Sequence, residues 1–322
     1  MEKEKITNEI LIEIHGNLLH HISETFSNNN KINKQFGHCE DIFHYTSING
    51  FISIIETQSL YCTNVNFLND SKELKHGIEL ILKALEIVKN SENNDIIEST
   101  KNNIEILNKT EKYVTCFSKD GDSLSQWRAY GNDGKGISLG FDFSGLKNNF
   151  NKNLTGLHIE YDERLQYEAI EEFIKIIIAF YNNIKSRFDW SEHDFNHTTS
   201  ISIIRFLNHI IYSYKHPSFI DEKEYRLQFE LKKNSKADIL FRTSTNLIIP
   251  YTIIKNSYTA YLETKKPNET EPIFGIKKLP LNKIIIGPSL DYEIVKIGLE
   301  KFLIMNGYEN IEIIKSNVPY RA

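Results

Sequence analysis

The chain has 322 residues, of which 40% are hydrophobic, so it can bury a core of substantial size. Its net charge of −5 and its scattered lysines and arginines argue against a broad nucleic-acid-binding surface. The three cysteines, Cys39, Cys62 and Cys116, form no CxxC pair, which favours reduced thiols in a cytoplasmic protein over a disulfide framework or a zinc site.

The N-terminal segment, residues 1–36, predicts a helix followed by a linker. Apolar residues recur at helical spacing at Ile6, Ile10, Ile14, Leu18 and Ile22. The polar stretch SNNNKINKQFG comes next and is predicted to be the linker. We expect the apolar stripe to pack on inserted helices or on a second copy of the chain, giving a homo-oligomer. The segment is too polar for a signal peptide, and no apolar run approaches the roughly 20 residues that cross a bilayer, so no membrane contact is expected.

Residues 37–322 are predicted to form one α+β domain. Alternating, aromatic-rich segments predict strands in DIFHYTS (41–47), SLYCTN, KYVTCFS (112–118), GISLGFDF and EYRLQFEL. Helices are expected at 48–57, in NDSKELKHGIELILKALEIVK, in part of DSLSQWRAYGNDGKG and in an insertion at about 165–215. The last segment predicts strand, helix and strand, with Gly307 ending the helix. The predicted fold is a central mixed or antiparallel β-sheet core decorated with inserted helices, plus the N-terminal helix.

The stretch DEKEYRLQF, residues 221–229, concentrates charge on one face of a predicted strand. Because side chains alternate along a strand, one face carries Glu222, Glu224 and Arg226. The alternate face carries Tyr225, Leu227 and Phe229 and is predicted to be core. The charged face is either a solvated surface with cross-strand ion pairs or one wall of a cleft.

Two further stretches contain side chains suited to chemistry. In FHYTS, His44 is either a strand-end histidine bonded to the backbone or a group that holds a hydroxyl, a phosphate or a proton in transit. The stretch SLSQWRAYG gathers Ser125, Trp127, Arg128 and Tyr130. Its aromatic residues are either core or, for one of them, part of a pocket that stacks on a planar ring. No GxGxxG, P-loop or HExxH motif occurs, so no metal is expected and a nucleotide needs another kind of site.

An ordered set of short motifs carries a family resemblance. The motifs are FHYTS, LYCTNVNFLNDSKEL, VTCFSKDGDSLSQWRAYGNDGKGISLGFDF, FIDEKEYRL, IIIGPS and SNVPYR, spanning about Phe43 to Arg321. In this order they resemble a bacterial domain of unknown function, family 2971 (DUF2971). That resemblance supplies no activity.

A second resemblance does imply one. An early-strand histidine, a central aromatic element and a glutamate that starts a late strand are similar to the His-Tyr-Glu plan of the ADP-ribosyltransferases. The resemblance implies that NAD is the substrate, that His44 holds the adenosine ribose, and that Tyr130 or Trp127 packs on nicotinamide. It further implies Glu224 as the catalytic carboxylate at the floor of a cleft, with Glu222 at the rim. Arg128 or Arg226 would meet the pyrophosphate, and Tyr45 and Ser125 complete the expected cofactor-binding set.

The function implied is an NAD-consuming ADP-ribosyltransferase-like enzyme or NAD glycohydrolase of a bacterial cell. It would act as a toxin or phage-defence effector on an unidentified protein or nucleic-acid acceptor. Two alternatives are open. One is a hydrolase or nuclease-like enzyme that uses Glu222, Glu224 and His44 with a divalent metal. The other is a non-catalytic module that senses a ligand or binds a partner.

Overall fold

The computed structural model describes residues 3–27, 41–68, 73–109, 111–150, 154–231, 238–244, 246–266, 269, 271–274 and 276–321. The linker predicted after the N-terminal helix, and with it Cys39, lies outside the described residues. Contacts group the chain into two units. The first comprises Met1–Gly37, Asn69–Thr110 and Ile159–Phe219, and the second comprises His38–Leu68, Glu111–His158 and Ile220–Ala322. The division into residues 1–36 and 37–322 stays a prediction.

Helices and strands alternate along most of the described chain. The helices are α1 (Asn8–Ser27), α2 (Ile48–Thr57), α3 (Glu73–Val88), α4 (Asn94–Asn102), α5 (Leu124–Ala129), α6 (Phe143–Asn148), α7 (Glu163–Ile184), α8 (Glu192–Ile210), α9 (Ser257–Thr264) and α10 (Tyr292–Met305). The strands are β1 (Glu4–Lys5), β2 (Asp41–Thr46), β3 (Ser59–Asn64), β4 (Lys112–Ser118), β5 (Ile137–Asp142), β6 (Thr155–His158), β7 (Phe188–Asp189), β8 (Glu224–Glu230), β9 (Leu240–Ser244), β10 (Leu247–Lys255), β11 (Leu281–Ile286) and β12 (Glu312–Lys315). The predicted fold class, α+β, is confirmed, because the described residues form both helices and a mixed β-sheet.

The first unit is built from α1, α3, α4, α7 and α8, with β1 and β7 forming a short parallel pair. The apolar stripe of α1 is buried at Ile14, Leu18 and Ile22. α1 packs on α7, where the His21 ring lies 5.8 Å from the Phe180 ring. The prediction that this helix packs on the inserted helices is therefore confirmed. The homo-oligomer stays a prediction, and the stripe that suggested it is already buried within the chain.

The inserted helices form where their ends are capped and their apolar residues share a face. The Asp162 carboxylate caps α7 by accepting hydrogen bonds from the next turn, and the Ser191 hydroxyl caps α8. Along α7, apolar side chains at helical spacing, such as Phe173, Ile177 and Tyr181, are buried. The Tyr181 hydroxyl lies 2.8 Å from the Ser202 hydroxyl of α8, which satisfies both polar groups inside the helical layer.

The second unit contains one mixed sheet. Its main path runs β12-β11-β5-β2-β4-β3-β10-β9. Strand β8 pairs with β4, and β6 pairs with β8. β11 and β12 are parallel, and the other pairings of this sheet are antiparallel. Strand β4 is therefore central, because β2, β3 and β8 all pair with it. The pairing of β4 with β8 runs from Lys112↔Glu230 to Ser118↔Glu224.

The core of this unit lies on one face of the sheet. Tyr225, Leu227 and Phe229 of β8 are buried there together with Leu139 and Phe141 of β5. The prediction that the apolar side of DEKEYRLQF is core is confirmed. The opposite side of β8 is buried as well, at Glu224, Arg226 and Gln228. The burial of these side chains does not fit a solvated surface, and the cleft stays a prediction.

Glu222 does not belong to the strand. Pro217–Glu222 form a 3-10 helix, and Lys223 adopts a positive φ of 45° before β8 begins at Glu224. A residue in this left-handed region reverses the local chain direction, so the alternation of the strand does not extend back to Glu222. The prediction that Glu222 shares a strand face with Glu224 and Arg226 is wrong for this reason.

Candidate functional site

Glu224 and Arg226 form a buried bidentate ion pair. Arg226 donates from Nε to Glu224 Oε1 at 2.7 Å and from Nη2 to Oε2 at 2.9 Å. Their side chains are 7% and 1% exposed. Two parallel charge-assisted bonds are the strong form of this contact, and burial makes each charge depend on the other. The geometry gives this pair a structural role. The catalytic role of Glu224 and the pyrophosphate-binding role of Arg226 stay predictions.

His44 is bonded to the backbone, as one of the two interpretations of FHYTS expects. Its Nδ1 lies 3.1 Å from the carbonyl oxygen of Cys116, and its ring lies edge-on to Phe117 at 5.7 Å. Desolvation lowers the pKa of His44, which the bond to the Cys116 carbonyl opposes in part. The imidazole is therefore held in its neutral form at neutral pH.

The strand register separates His44 from Glu224. Phe43 pairs with Ser118, and Ser118 pairs with Glu224, so these three side chains share one face of the sheet. His44 follows Phe43 directly and lies on the other face with Phe117. The structure does not bring His44 to the face that carries Glu224 and Arg226.

Glu222 does meet the SLSQWRAYG segment. The Tyr130 hydroxyl donates to Glu222 Oε1 at 3.2 Å, and the Ser125 hydroxyl donates to the Asp221 carbonyl at 3.4 Å. The Ser118 hydroxyl donates to the Glu222 carbonyl at 2.8 Å, which fixes the turn to the end of β4. We call Ser125, Tyr130 and Glu222 the Glu222 cluster. It joins residues from two of the motifs that carried the family resemblance, and each of its side chains is at least partly exposed.

Trp127 and Tyr45 are buried residues that hold the segment carrying Ser125 and Tyr130 in place. Trp127 is fully buried, and its indole Nε1 donates to Asp122 Oδ1 at 2.8 Å. The Tyr45 ring lies edge-on to it at 4.8 Å. The Tyr45 hydroxyl donates to the Asp120 carbonyl at 2.8 Å and accepts from the Ser123 amide at 2.9 Å. Burial raises the pKa of Tyr45, so its hydroxyl stays protonated and holds the start of α5. Trp127 is thus a core residue in this arrangement.

Arg128 is exposed and lies beside the C-terminal segment. The Tyr320 hydroxyl donates to Asp133 Oδ1 at 2.6 Å, and this bond raises the pKa of Tyr320, while the positive charge of Arg128 acts in the opposite direction. Asn132, Asp133 and Gly134 all have positive φ, at 50°, 54° and 78°. Such a run of left-handed backbone is costly and persists only where surrounding contacts hold it, a pattern that is common at functional sites.

The sequence analysis missed three residues of this region: Asp122, Asp133 and Tyr320. Signals for two of them were present. Asp133 lies in GNDG, a stretch typical of left-handed turns, and Tyr320 lies in the SNVPYR motif. Nothing in the local sequence marks Asp122 as the acceptor for an indole. Among the side chains that the structure describes, no group of three or more His, Cys, Asp or Glu is arranged to hold a metal ion.

Comparison with known families supports the first resemblance. Residues 126–227 match the model of a family described as "Protein of unknown function (DUF2971)". The match begins in α5 and ends in β8, so it includes Tyr130 and Glu222 of the cluster and starts one residue after Ser125. No curated protein and no solved structure matches the chain. Within the described residues, no helix is both long enough and apolar enough to cross a membrane.

Proposed function

We propose that the protein is an NAD-consuming ADP-ribosyltransferase-like enzyme or NAD glycohydrolase whose working carboxylate is Glu222. The observation that supports this most directly is the hydrogen bond from the Tyr130 hydroxyl to the partly exposed carboxylate of Glu222. A carboxylate, a phenol ring and a nearby serine hydroxyl on one exposed surface are the groups that this chemistry uses.

In the reaction, the bond between nicotinamide and ribose C1′ breaks, and its electron pair leaves with nicotinamide. The positive charge that develops on the ribose is stabilised by a carboxylate held in place beforehand. Water or an acceptor nucleophile then adds its lone pair to C1′ and loses a proton to solvent. Glu222 supplies the negative charge, and Tyr130 orients it and offers its ring to the nicotinamide. Arg128, exposed on the same short helix, provides the positive charge for the diphosphate.

The contrast between the two glutamates favours Glu222 over Glu224. The Glu224 carboxylate is buried and neutralised by two bonds from Arg226. A carboxylate whose charge is already balanced by a guanidinium attracts a second positive charge only weakly. Glu222 is partly exposed and its Oε1 accepts from the Tyr130 phenol, so this carboxylate can face a ligand. His44, on the other face of the sheet from Glu224, has no part in this proposal.

The test is release of nicotinamide from NAD by the purified protein, measured by chromatography. Glu222→Gln should lower turnover by ~100-fold or more, the scale lost with one preorganised electrostatic group, with an unchanged melting temperature. Glu300→Gln is the matched control, because Glu300 is a half-exposed carboxylate paired with Lys296 on α10. Absence of nicotinamide release by the wild type, or full turnover by the Glu222 variant, would overturn the proposal.

Consumption of NAD would make the protein a toxin or a phage-defence effector in its own cell. Induced expression in bacteria should therefore lower cellular NAD and stop growth, and the Glu222→Gln variant should do neither. Radiolabelled NAD added to lysate distinguishes transfer from hydrolysis. Label on a macromolecule identifies the acceptor as protein or nucleic acid, and label in free ADP-ribose indicates a glycohydrolase.

A further inference from the structure

The SNVPYR motif at the C-terminal end of the described chain is attached to α5 through one carboxylate. Asp122 Oδ1 accepts from the Trp127 indole at 2.8 Å and from the Ser316 hydroxyl at 2.5 Å. Asp122 Oδ2 accepts from the Asn317 amide at 2.7 Å. Ser316 is itself buried, and its amide donates to the Ile286 carbonyl at the end of β11. Asp122 therefore links the buried tryptophan of α5 to a segment anchored on the sheet.

The far end of the same segment holds the loop that follows α5. Tyr320 donates to Asp133 at 2.6 Å, and the Ser289 hydroxyl donates to the Tyr320 carbonyl at 3.4 Å. The Ser289 amide donates to the Gly134 carbonyl at 3.0 Å. The left-handed loop at 132–134 is thus held from two directions, which is what a strained backbone requires in order to persist.

We infer that residues 316–320 form a strap that positions α5 for ligand binding, and that Asp122 is the positioning residue that connects the two. This inference rests on the proposed function, because α5 and its end carry Arg128 and Tyr130. The strap contacts α5 at the buried side of Trp127 and the following loop at Asp133, so it fixes both ends of the segment. Loosening the strap displaces Arg128 and Tyr130, the groups that meet the nucleotide, while the Ser118 hydroxyl still fixes the backbone of the Glu222 turn to β4.

The structural test is local hydrogen exchange in Asp122→Asn. Asparagine keeps the shape, but its amide nitrogen accepts no hydrogen bond, so either the bond from the Asn317 amide to Oδ2 or the bonds from Trp127 and Ser316 to Oδ1 are lost. Exchange of the hydrogen-bonded amides of Trp127, Tyr130 and Gly131 should become at least ~10-fold faster through local opening. In a Trp190→Phe background, the emission of Trp127 should shift to longer wavelength as its burial is lost.

The matched control is Asp291→Asn, which alters a carboxylate that also accepts backbone amides, at the start of α10. It should leave α5 exchange unchanged. Ser316→Ala removes a single donor and serves as a milder variant if Asp122→Asn fails to fold. If the α5 amides exchange at the wild-type rate in whichever of these variants folds, the inference that residues 316–320 hold α5 is refuted.

The functional test separates binding from turnover with NAD as the probe. Asp122→Asn should raise KM for NAD by ~5-fold or more with a smaller change in kcat, since the backbone of the Glu222 turn stays fixed to β4 through Ser118. Faster α5 exchange with an unchanged KM would overturn the positioning role. If the wild type consumes no NAD, the proposed function fails, and the exchange experiment still decides whether the strap holds α5.

Discussion

Replacing Glu224 by glutamine should destabilise the second unit, because the buried Arg226 would lose its bidentate contact with a carboxylate. The two side chains are 7% and 1% exposed and share bonds of 2.7 Å and 2.9 Å. Glutamine keeps one acceptor oxygen, but its amide group presents N–H to N–H where the second bond was. Breaking a buried pair from one side costs about 3–5 kcal/mol. We therefore expect a loss of that size in the free energy of unfolding.

The assay is equilibrium urea unfolding followed by the emission of Trp127 in a Trp190→Phe background. Trp127 belongs to the unit that contains the ion pair, and Trp190 belongs to the other, so the signal reports the relevant unit even if the two unfold separately. Glu300→Gln is the control, because its partner Lys296 lies 3.9 Å away on an exposed helix face. Exposed pairs contribute about 0–1 kcal/mol, and we expect no more here.

A double-mutant cycle completes the experiment. The double variant, Glu224→Gln with Arg226→Gln, replaces both charged groups, so no buried guanidinium remains at these positions. The double variant should lose at least ~1 kcal/mol less than the sum of the two single variants. A loss below ~1 kcal/mol for Glu224→Gln, or strict additivity in the cycle, would show that burial has not made these charges interdependent.

Three further perturbations follow from the structure. A Cβ at Gly156 would lie 1.9 Å from the Tyr225 hydroxyl, so Gly156→Ala should lower the free energy of unfolding in urea by ~1–3 kcal/mol. Adding Tyr225→Phe should restore much of that loss. The control, Gly298→Ala, should not destabilise, because there is open space around Gly298. Burial lowers the pKa of Lys112 from 10.5 to about 8. Between pH 8 and 10.5 the unfolded state therefore binds more protons than the folded state, so the stability of the fold should rise with pH in that range. Lys112→Met should flatten that rise. Desolvation lowers the pKa of His44 below 6.5, so stability should fall as pH drops below that value, and His44→Gln should make the fall shallower.

The elements with strong periodicity were predictable from the sequence. Helix α1 and strands β4 and β8 follow the expected spacing, because a buried face must repeat every 3.6 or every two residues. The hairpin of β9 and β10 was not predicted. Pro250 interrupts LIIPYTIIK, and a proline normally argues against a strand that has neighbours on both sides, as β10 has.

The candidate site was less predictable, because it depends on contacts distant in sequence. The local pattern E-x-E suggests two equivalent glutamates, but the positive φ of Lys223 places Glu222 on a turn and leaves Glu224 in the sheet. No property of lysine signals a left-handed backbone. The face occupied by His44 follows from the register of β2 against β4, which a single strand cannot reveal. Tyr130 meets Glu222 across 92 positions of chain.

The pairing of β4 with β8 has a consequence for the order of events during synthesis. Lys112 pairs with Glu230, so β4 leaves the ribosome long before its partner, and the chain between them includes α7 and α8. Pairing so distant in sequence is slow, because the ends of a long loop must be brought together first. The Glu222 turn precedes β8 directly, and the strap is made later still. A nascent chain therefore cannot have both the Glu222 turn and the strap in place until residue 320 has been translated.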